Sequence, residues 1–306
     1  MADVAGPTLG WNLAHDLGEV LEFHFMLNAL IAGSIVAVMA GVVGWLMVLR
    51  REAFAGHTLS MMAFPGASGA ALLGVPAAWG YFAFCGAGAL AIGRFSGARR
   101  QSFGERSAGI GAVQAAALAA GFLFVSLYGG VLGDLESLLF GNLLAVSDGQ
   151  VLGLGAVAAL ALALLCGLAR PLLFASVDPD VAGARGVPVR ALSSAFLLIL
   201  GLAVAATSQI TGPLLVFALL VMPAATAQAI TASPALGLAL SVVLGLVVVW
   251  LGLGIAYFSV YPAGFFIATI SFAIYVLVRV LAGALGVRRR GRAAATVTPP
   301  PRGVIA

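Results

Sequence analysis

The chain contains no lysine: its fifteen basic residues are all arginines, set against eleven acids and three histidines in 306 residues. A phosphate loop of the G-x-x-x-x-G-K-[ST] type needs its lysine on the nucleotide phosphates, so ATP hydrolysis by that route is excluded from this polypeptide. Charge of either sign is scarce, 8% against 62% hydrophobic residues, which is far from a soluble globular composition. A charged side chain in hydrocarbon costs several kcal/mol, so this scarcity marks a lipid-embedded chain. There are two cysteines, Cys85 and Cys166, both inside apolar runs. They read as small buried hydrophobes and supply neither a disulfide framework nor a thiolate metal site. Scattered acids and three histidines form no hydrolytic constellation, as a membrane enzyme acting on lipid or peptide would require. The N-terminus lacks a basic n-region with a short apolar stretch and cleavage site, so no removable signal peptide is expected.

What the chain has in abundance is apolar runs. A helix needs about 20 mostly apolar residues to cross a bilayer, and about nine such segments fit between Glu22 and Gly283: 24–49, 57–75, 78–95, 107–130, 149–170, 191–208, 211–231, 234–258 and 262–283. Long continuous runs without period-2 alternation predict helices, not barrel strands. The fold expected is an all-α polytopic membrane protein. Arginine gathers in the loops left inside the cell. With nine crossings Arg50, Arg51, Arg94, Arg99, Arg100, Arg106, Arg170, Arg185, Arg190 and the arginines from Arg279 to Arg302 fall on one side. The opposite side holds only acids: Asp3, Asp16, Glu19, Glu22, Asp134, Glu136 and Asp148. The N-terminus is therefore expected outside and the C-terminus in the cytoplasm. Residues 1–23 form an extracytoplasmic segment, 24–283 the transmembrane domain, and 284–306 a basic, disordered cytoplasmic tail. The net charge of +4 is a topology signal and predicts no nucleic-acid partner; the tail arginines suit anionic lipid headgroups. High alanine content and arginine-only basic usage point to a GC-rich bacterial genome, hence a multi-pass protein of the bacterial plasma membrane.

Forty glycines suit close helix packing in lipid, where small residues let backbones approach. Prolines within or beside the spans, Pro65, Pro213, Pro223 and Pro262, each free a backbone carbonyl. For Pro65 and Pro223 lining of a pathway and a simple packed kink stand level. His15 and His24, beside Asp16, Glu19 and Glu22, either gather cations at an outer mouth or mark a wet helix end. Asn28, inside the first span, reads as an interhelical hydrogen-bonding residue. The longest polar interruption on the arginine side runs from Pro171 to Arg190. Within it Asp178 is an N-cap with Pro179 at the first helical position, and Gly186 before Pro188 stops the helix. A short helix is thus expected across the cytoplasmic face, either as an ordinary connection or as a docking element.

Four blocks carry a resemblance. DPDVAGARGVPVRALSSAFLLILGLAVAATSQITGPLLVFALLVMPAATA, beginning at Asp178, is similar to the signature region of permease subunits of ABC importers for zinc and manganese. MVLRREAFAGHTLSMMAFPGASGAALLG, ESLLFGNLLAVSDGQVL and YFSVYPAGFFIATISFAIYVL resemble three further blocks of that family, in its order, over residues 24 to 283. The resemblance implies a type II ABC importer-like permease acting as a homodimer, with a separate ABC ATPase that binds ATP and magnesium, and an extracytoplasmic substrate-binding protein. No cofactor is expected in this chain, and zinc or manganese is the cargo. Residues 178–190 become the coupling helix, with Asp178, Asp180, Ala182, Gly186 and Pro188 at the ATPase contact, and Ala182 and Gly186 at the family's small positions. Segment 131–148 would dip in or lie flat near the surface that receives the binding protein.

The family commonly has Asp at the start of its second helix and His four residues later; here those positions are His57 and Met61. The i, i+4 spacing puts both on one face. Imidazole binds zinc, manganese or copper, while a thioether favours soft ions and suits Mn²⁺ poorly. Three readings stand open: a retuned metal path through His57 and Met61, with Pro65 and His24 along it; a permease of the same fold for a chelate or another non-metal solute; and packing alone. A secondary transporter or channel would need intramembrane ionisable residues, which the spans nearly lack.

Overall fold

In hydrocarbon no water satisfies the peptide groups, so apolar runs of spanning length close their hydrogen bonds internally as helices. The computed structural model describes residues 23–96, 103–128, 141, 143–259 and 261–295. Among them stand nine helices: α1 (His24–Leu49), α2 (Ala53–Leu73), α3 (Ala77–Ser96), α4 (Phe103–Tyr128), α5 (Asp148–Val177), α6 (Pro179–Ala184), α7 (Val189–Ile230), α8 (Pro234–Tyr257) and α9 (Ala263–Ala295). Six of them, α1, α4, α5, α7, α8 and α9, are long and apolar enough to cross a membrane by themselves. The described residues hold no strand.

Helix α7 is a hairpin. Its 42 residues would reach about 63 Å if straight. Yet near its start Ser193 accepts a hydrogen bond from Arg50 at 2.8 Å, and near its finish Gln228 donates to the carbonyl of Trp45 at 2.8 Å. Trp45 and Arg50 lie little more than one turn apart at the same end of α1, so the chain must double back between them. The break is at Gly212, with φ 72° and ψ 157°, a region essentially closed to residues with a Cβ. Pro213 follows, where its missing N–H and fixed φ suit the first turn of a new helix. The arms 189–211 and 213–230 therefore correspond to the two spans expected at 191–208 and 211–231.

The remaining helices alternate in direction. Ser241 of α8 donates to the Gly41 carbonyl at 2.9 Å, and Trp250 donates to Ser34 at 2.9 Å, so α8 runs antiparallel to α1. Between α2 and α3 the backbones cross at Gly66 and Gly80, where a Cβ on either would strike the other's carbonyl; only a glycine pair permits that approach. α4 lies alongside α2, with Thr58 bonded to Gln114 at 3.0 Å and the rings of Phe64 and Phe122 5.2 Å apart. α9 returns beside α8, Ile267 against Gly252. This alternation collects Arg50, Arg94, Arg170, Arg185, Arg190 and Arg279 toward one end of the bundle. His24 and Asp148 lie at the other.

Several boundaries differ from those expected. The polar interruption begins at Asp178 and not at Pro171: α5 continues through Pro171 to Val177, because Leu172 and Ala175 are buried against the bundle and hold the last turns despite the proline. α9 runs to Ala295. Cys85 is buried as anticipated, whereas Cys166 is exposed on α5, since helical periodicity turns it outward. His15, Asp16, Glu19, Glu22, segment 131–140 and the tail beyond 295 lie outside the described residues.

Replacing Gly212 by alanine should cost about 1–3 kcal/mol by forcing a side chain into that backbone region. Gly254→Ala, inside α8 with open space around it, should instead be neutral or gain about 0.5–1 kcal/mol. Thermal unfolding of the two variants in detergent, compared with the parent, checks the pair.

Candidate functional site

The second helix presents two unlike faces. Ala55, Leu59, Met62, Ala63 and Ala67 are buried, while Phe54, His57 and Met61 remain partly or fully open. Spacing of three and four residues places those three on one stripe. The His57 ring packs edge-on against Phe217 of α7, centroids 4.7 Å apart at 65°. Its Nδ1 is buried without a hydrogen-bond partner, a state that costs about 1–3 kcal/mol unless something fills it. Beyond Phe217 the second arm of α7 leaves Leu214, Val221, Met222 and Ala225 partly or fully open along the same face. Two helix faces, joined at the His57–Phe217 contact, thus form an uncovered apolar wall carrying one imidazole.

Pro65 is buried in α2, and Gly121 of α4 packs against it and Phe64. Its side chain packs away from the open stripe. Its effect on the wall is indirect, because a proline donates no hydrogen bond and the Met61 carbonyl loses its i+4 donor. Pro223 is likewise buried.

His24 is remote from this wall. It opens α1, whose 26 residues rise about 39 Å, whereas His57 sits just past the far end. His24 Nε2 meets Asp148 Oδ1 at 2.9 Å with both side chains exposed. Asn28 donates to the same carboxylate at 2.6 Å and to the Val146 carbonyl at 3.2 Å, the interhelical role expected of it. This cluster fastens the start of α1 to the start of α5, where Ser147 and Gln150 complete a capping box.

At the arginine end the helix α6 forms as its sequence dictates. Asp178 accepts from Val181 N–H at 2.9 Å, with Pro179 at the first position. The helix closes with Val187 N–H on the Ala182 carbonyl and Gly186 N–H on that of Gly183, each 3.0 Å, and Gly186 adopts φ 82°. Such a left-handed closing residue is most often glycine. Open space surrounds Gly186, so backbone conformation, not crowding within the chain, demands it. Ala182 is fully buried; its small side chain seats α6 on the bundle. Asp178, Asp180, Gly186 and Pro188 are exposed.

Sequence reasoning missed Phe217, which holds His57, and the Thr58–Gln114 pair beside it, since neither aromatic nor amide stands out within an apolar run. Among the described residues no group of three or more His, Cys, Asp or Glu side chains converges to hold a metal ion.

A family model described as the ABC 3 transport family matches residues 22–282. The chain belongs to that family. The manganese transport system membrane protein MntC of Halalkalibacterium halodurans is 33% identical over 252 residues, 81% of this chain and 83% of that protein. The manganese import system permease protein ScaB of Streptococcus parasanguinis is 33% identical over 236 residues, 77% and 83% of the two chains. Among solved structures, PsaBC from Streptococcus pneumoniae in complex with Fab superposes with a TM-score of 0.75 at 30% identity, covering 87% of this chain and 95% of that one. This ABC permease is accordingly a multi-pass membrane translocation subunit and catalyses no bond chemistry itself. Membership also decides against the secondary-transporter, channel and membrane-enzyme readings.

Cysteine substitution checks the two faces of α2. Met61→Cys should react with a small thiol reagent in the detergent-dispersed chain, whereas Met62→Cys, at a site 3% exposed, should resist it. Equal labelling of both would refute the open stripe.

Proposed function

We propose that this permease is the translocation half of an ATP-driven importer for a divalent first-row metal cation, manganese or zinc. Membership of the ABC 3 transport family across residues 22–282 carries that reading, and relatives whose names specify manganese transport support the cargo. The chain crosses the bacterial inner membrane nine times, the two arms of α7 counting separately, with its N-terminus outside and its arginine end in the cytoplasm. Two copies pair through the uncovered wall of α2 and the second arm of α7. One copy offers a cation only His57, the Met61 thioether and the Met61 carbonyl freed by Pro65. A second copy doubles the set, which brings it to the four or more ligands such ions require. The carbonyl matters for manganese, being a harder donor than sulfur. A dedicated ATPase docks on the exposed side of α6 and its flanks, Asp178, Asp180, Gly186 and Pro188, and a binding protein delivers the cation at the His24 end. Nucleotide-driven closure of the ATPase favours one of two permease arrangements through its differential contacts with that loop.

Reconstitution with the ATPase and binding protein tests this reading through uptake of radioactive manganese and zinc. His57→Ala should lower uptake by about tenfold or more, the scale of losing one ligand or its support. Gly186→Val should abolish it while membrane insertion stays intact, because a β-branched residue at φ 82° unravels the end of α6. Normal metal uptake by both variants would overturn the path and the docking surface together.

A further inference from the structure

A buried ion pair closes the turn between α1 and α2. Arg50 and Glu52 expose 7% and 3% of their side chains. Arg50 Nε and Nη2 face the two Glu52 carboxylate oxygens at 3.4 and 3.3 Å, and the guanidinium lies 5.1 Å over the Phe196 ring. Its remaining donors reach two other elements. Nη1 donates to Ser176 in the last turn of α5 at 3.1 Å, and Nη2 to Ser193 in the first turns of α7 at 2.8 Å. Ser176 lies just before Asp178 and Ser193 just after Pro188, so one guanidinium grips both roots of the loop that carries α6. Glu52 stands at the start of α2, its carbonyl accepting Gly56 N–H at 3.0 Å, immediately before His57.

The backbone at this point is also unusual. Arg51, with φ 58°, is the one non-glycine residue of positive φ among those described. Hydrogen bonds from Arg51 N–H to Val48 and from Glu52 N–H to Met47, at 3.0 and 2.9 Å, lock that turn. Strain of this kind persists where surrounding structure over-determines it. A buried ion pair adds little net stability over an apolar replacement, so its worth here lies in fixing which elements move together.

We propose that Arg50 is the positioning residue that ties the 178–188 loop to α2, so that a displacement of the loop is handed to the helix bearing His57. This rests on the reading above, in which the loop docks on an ATPase and His57 faces the cargo. The planar fork is essential: it serves a carboxylate and two hydroxyls at fixed angles, as the single ammonium of lysine does not.

The test uses the whole complex in proteoliposomes, with ATP hydrolysis and radioactive manganese or zinc uptake measured in the same vesicles. Arg50→Lys keeps the charge, and the pair Ser176→Ala with Ser193→Ala keeps the ion pair but releases the loop. Both should assemble and hydrolyse ATP within about twofold of the parent, while metal moved per ATP falls about tenfold, the size of a typical coupling energy. If Arg50→Lys fails to insert, the double serine variant, which removes only two hydroxyls, decides alone. An unchanged ratio of metal to ATP overturns the proposal, as does a parallel loss of hydrolysis and uptake, the mark of failed assembly. Absence of ATP-driven uptake in the parent complex would instead sink the importer reading itself.

Discussion

Within hydrocarbon every peptide N–H and C=O must find its partner inside the protein, and the arrangement of this chain follows from where that rule is met and where it is relaxed. Continuous helix meets it residue by residue. Each relaxation is local and covered. Pro65 withholds one hydrogen bond deep in α2, with Gly121 of α4 packed against it. Gly212 and Pro213 break the longest helix where Gly141 is pressed against the backbone of Ile210, Thr211 and Gly212. Threonine hydroxyls near that break turn back on carbonyls of their own helix, Thr207 on Ala203 at 2.6 Å and Thr211 on Thr207 at 3.1 Å.

With the backbone satisfied, packing is left to decide which helices meet, because lipid tails are as apolar as the side chains and supply no hydrophobic drive between helices. Glycine therefore does the selecting. Gly44 lies on the backbone of Leu220, Gly66 on Gly80 and Gly252 on Ile267. Each of these contacts joins a pair of helices that a Cβ would hold apart. The faces left over are the functional ones: a stripe of α2 and one arm of α7, held together by His57 and Phe217, and the small helix α6 at the arginine end of the molecule, where polar groups again meet water.

Two polar clusters join elements of the bundle, one at each end. Arg50 with Glu52 joins three elements at the arginine end; Asn28 with Asp148 and His24 joins two at the other. Arg50 and Glu52 are buried, where charge is retained only when its partners are numerous and well placed, and through that joint movement of one helix is passed directly to another. The family relationship explains why such movement matters, since a transporter must visit two arrangements of the same helices.

Sequence alone determined the helical class and the clustering of arginine toward one end, because apolar length and charge placement are local quantities read residue by residue. It also determined α6: Asp178, Pro179 and Gly186 carry capping chemistry that depends on their neighbours in the chain and on little else. Resemblance in four blocks reached the family that the comparison then established. Tertiary structure decided the rest. That α5 outruns Pro171, that Ala182 points inward while Gly186 faces open space, that His24 and His57 lie at opposite ends, and that one arginine grips both roots of a loop more than a hundred residues away in sequence are all facts of packing. They depend on contacts between residues remote along the chain, which no local pattern encodes.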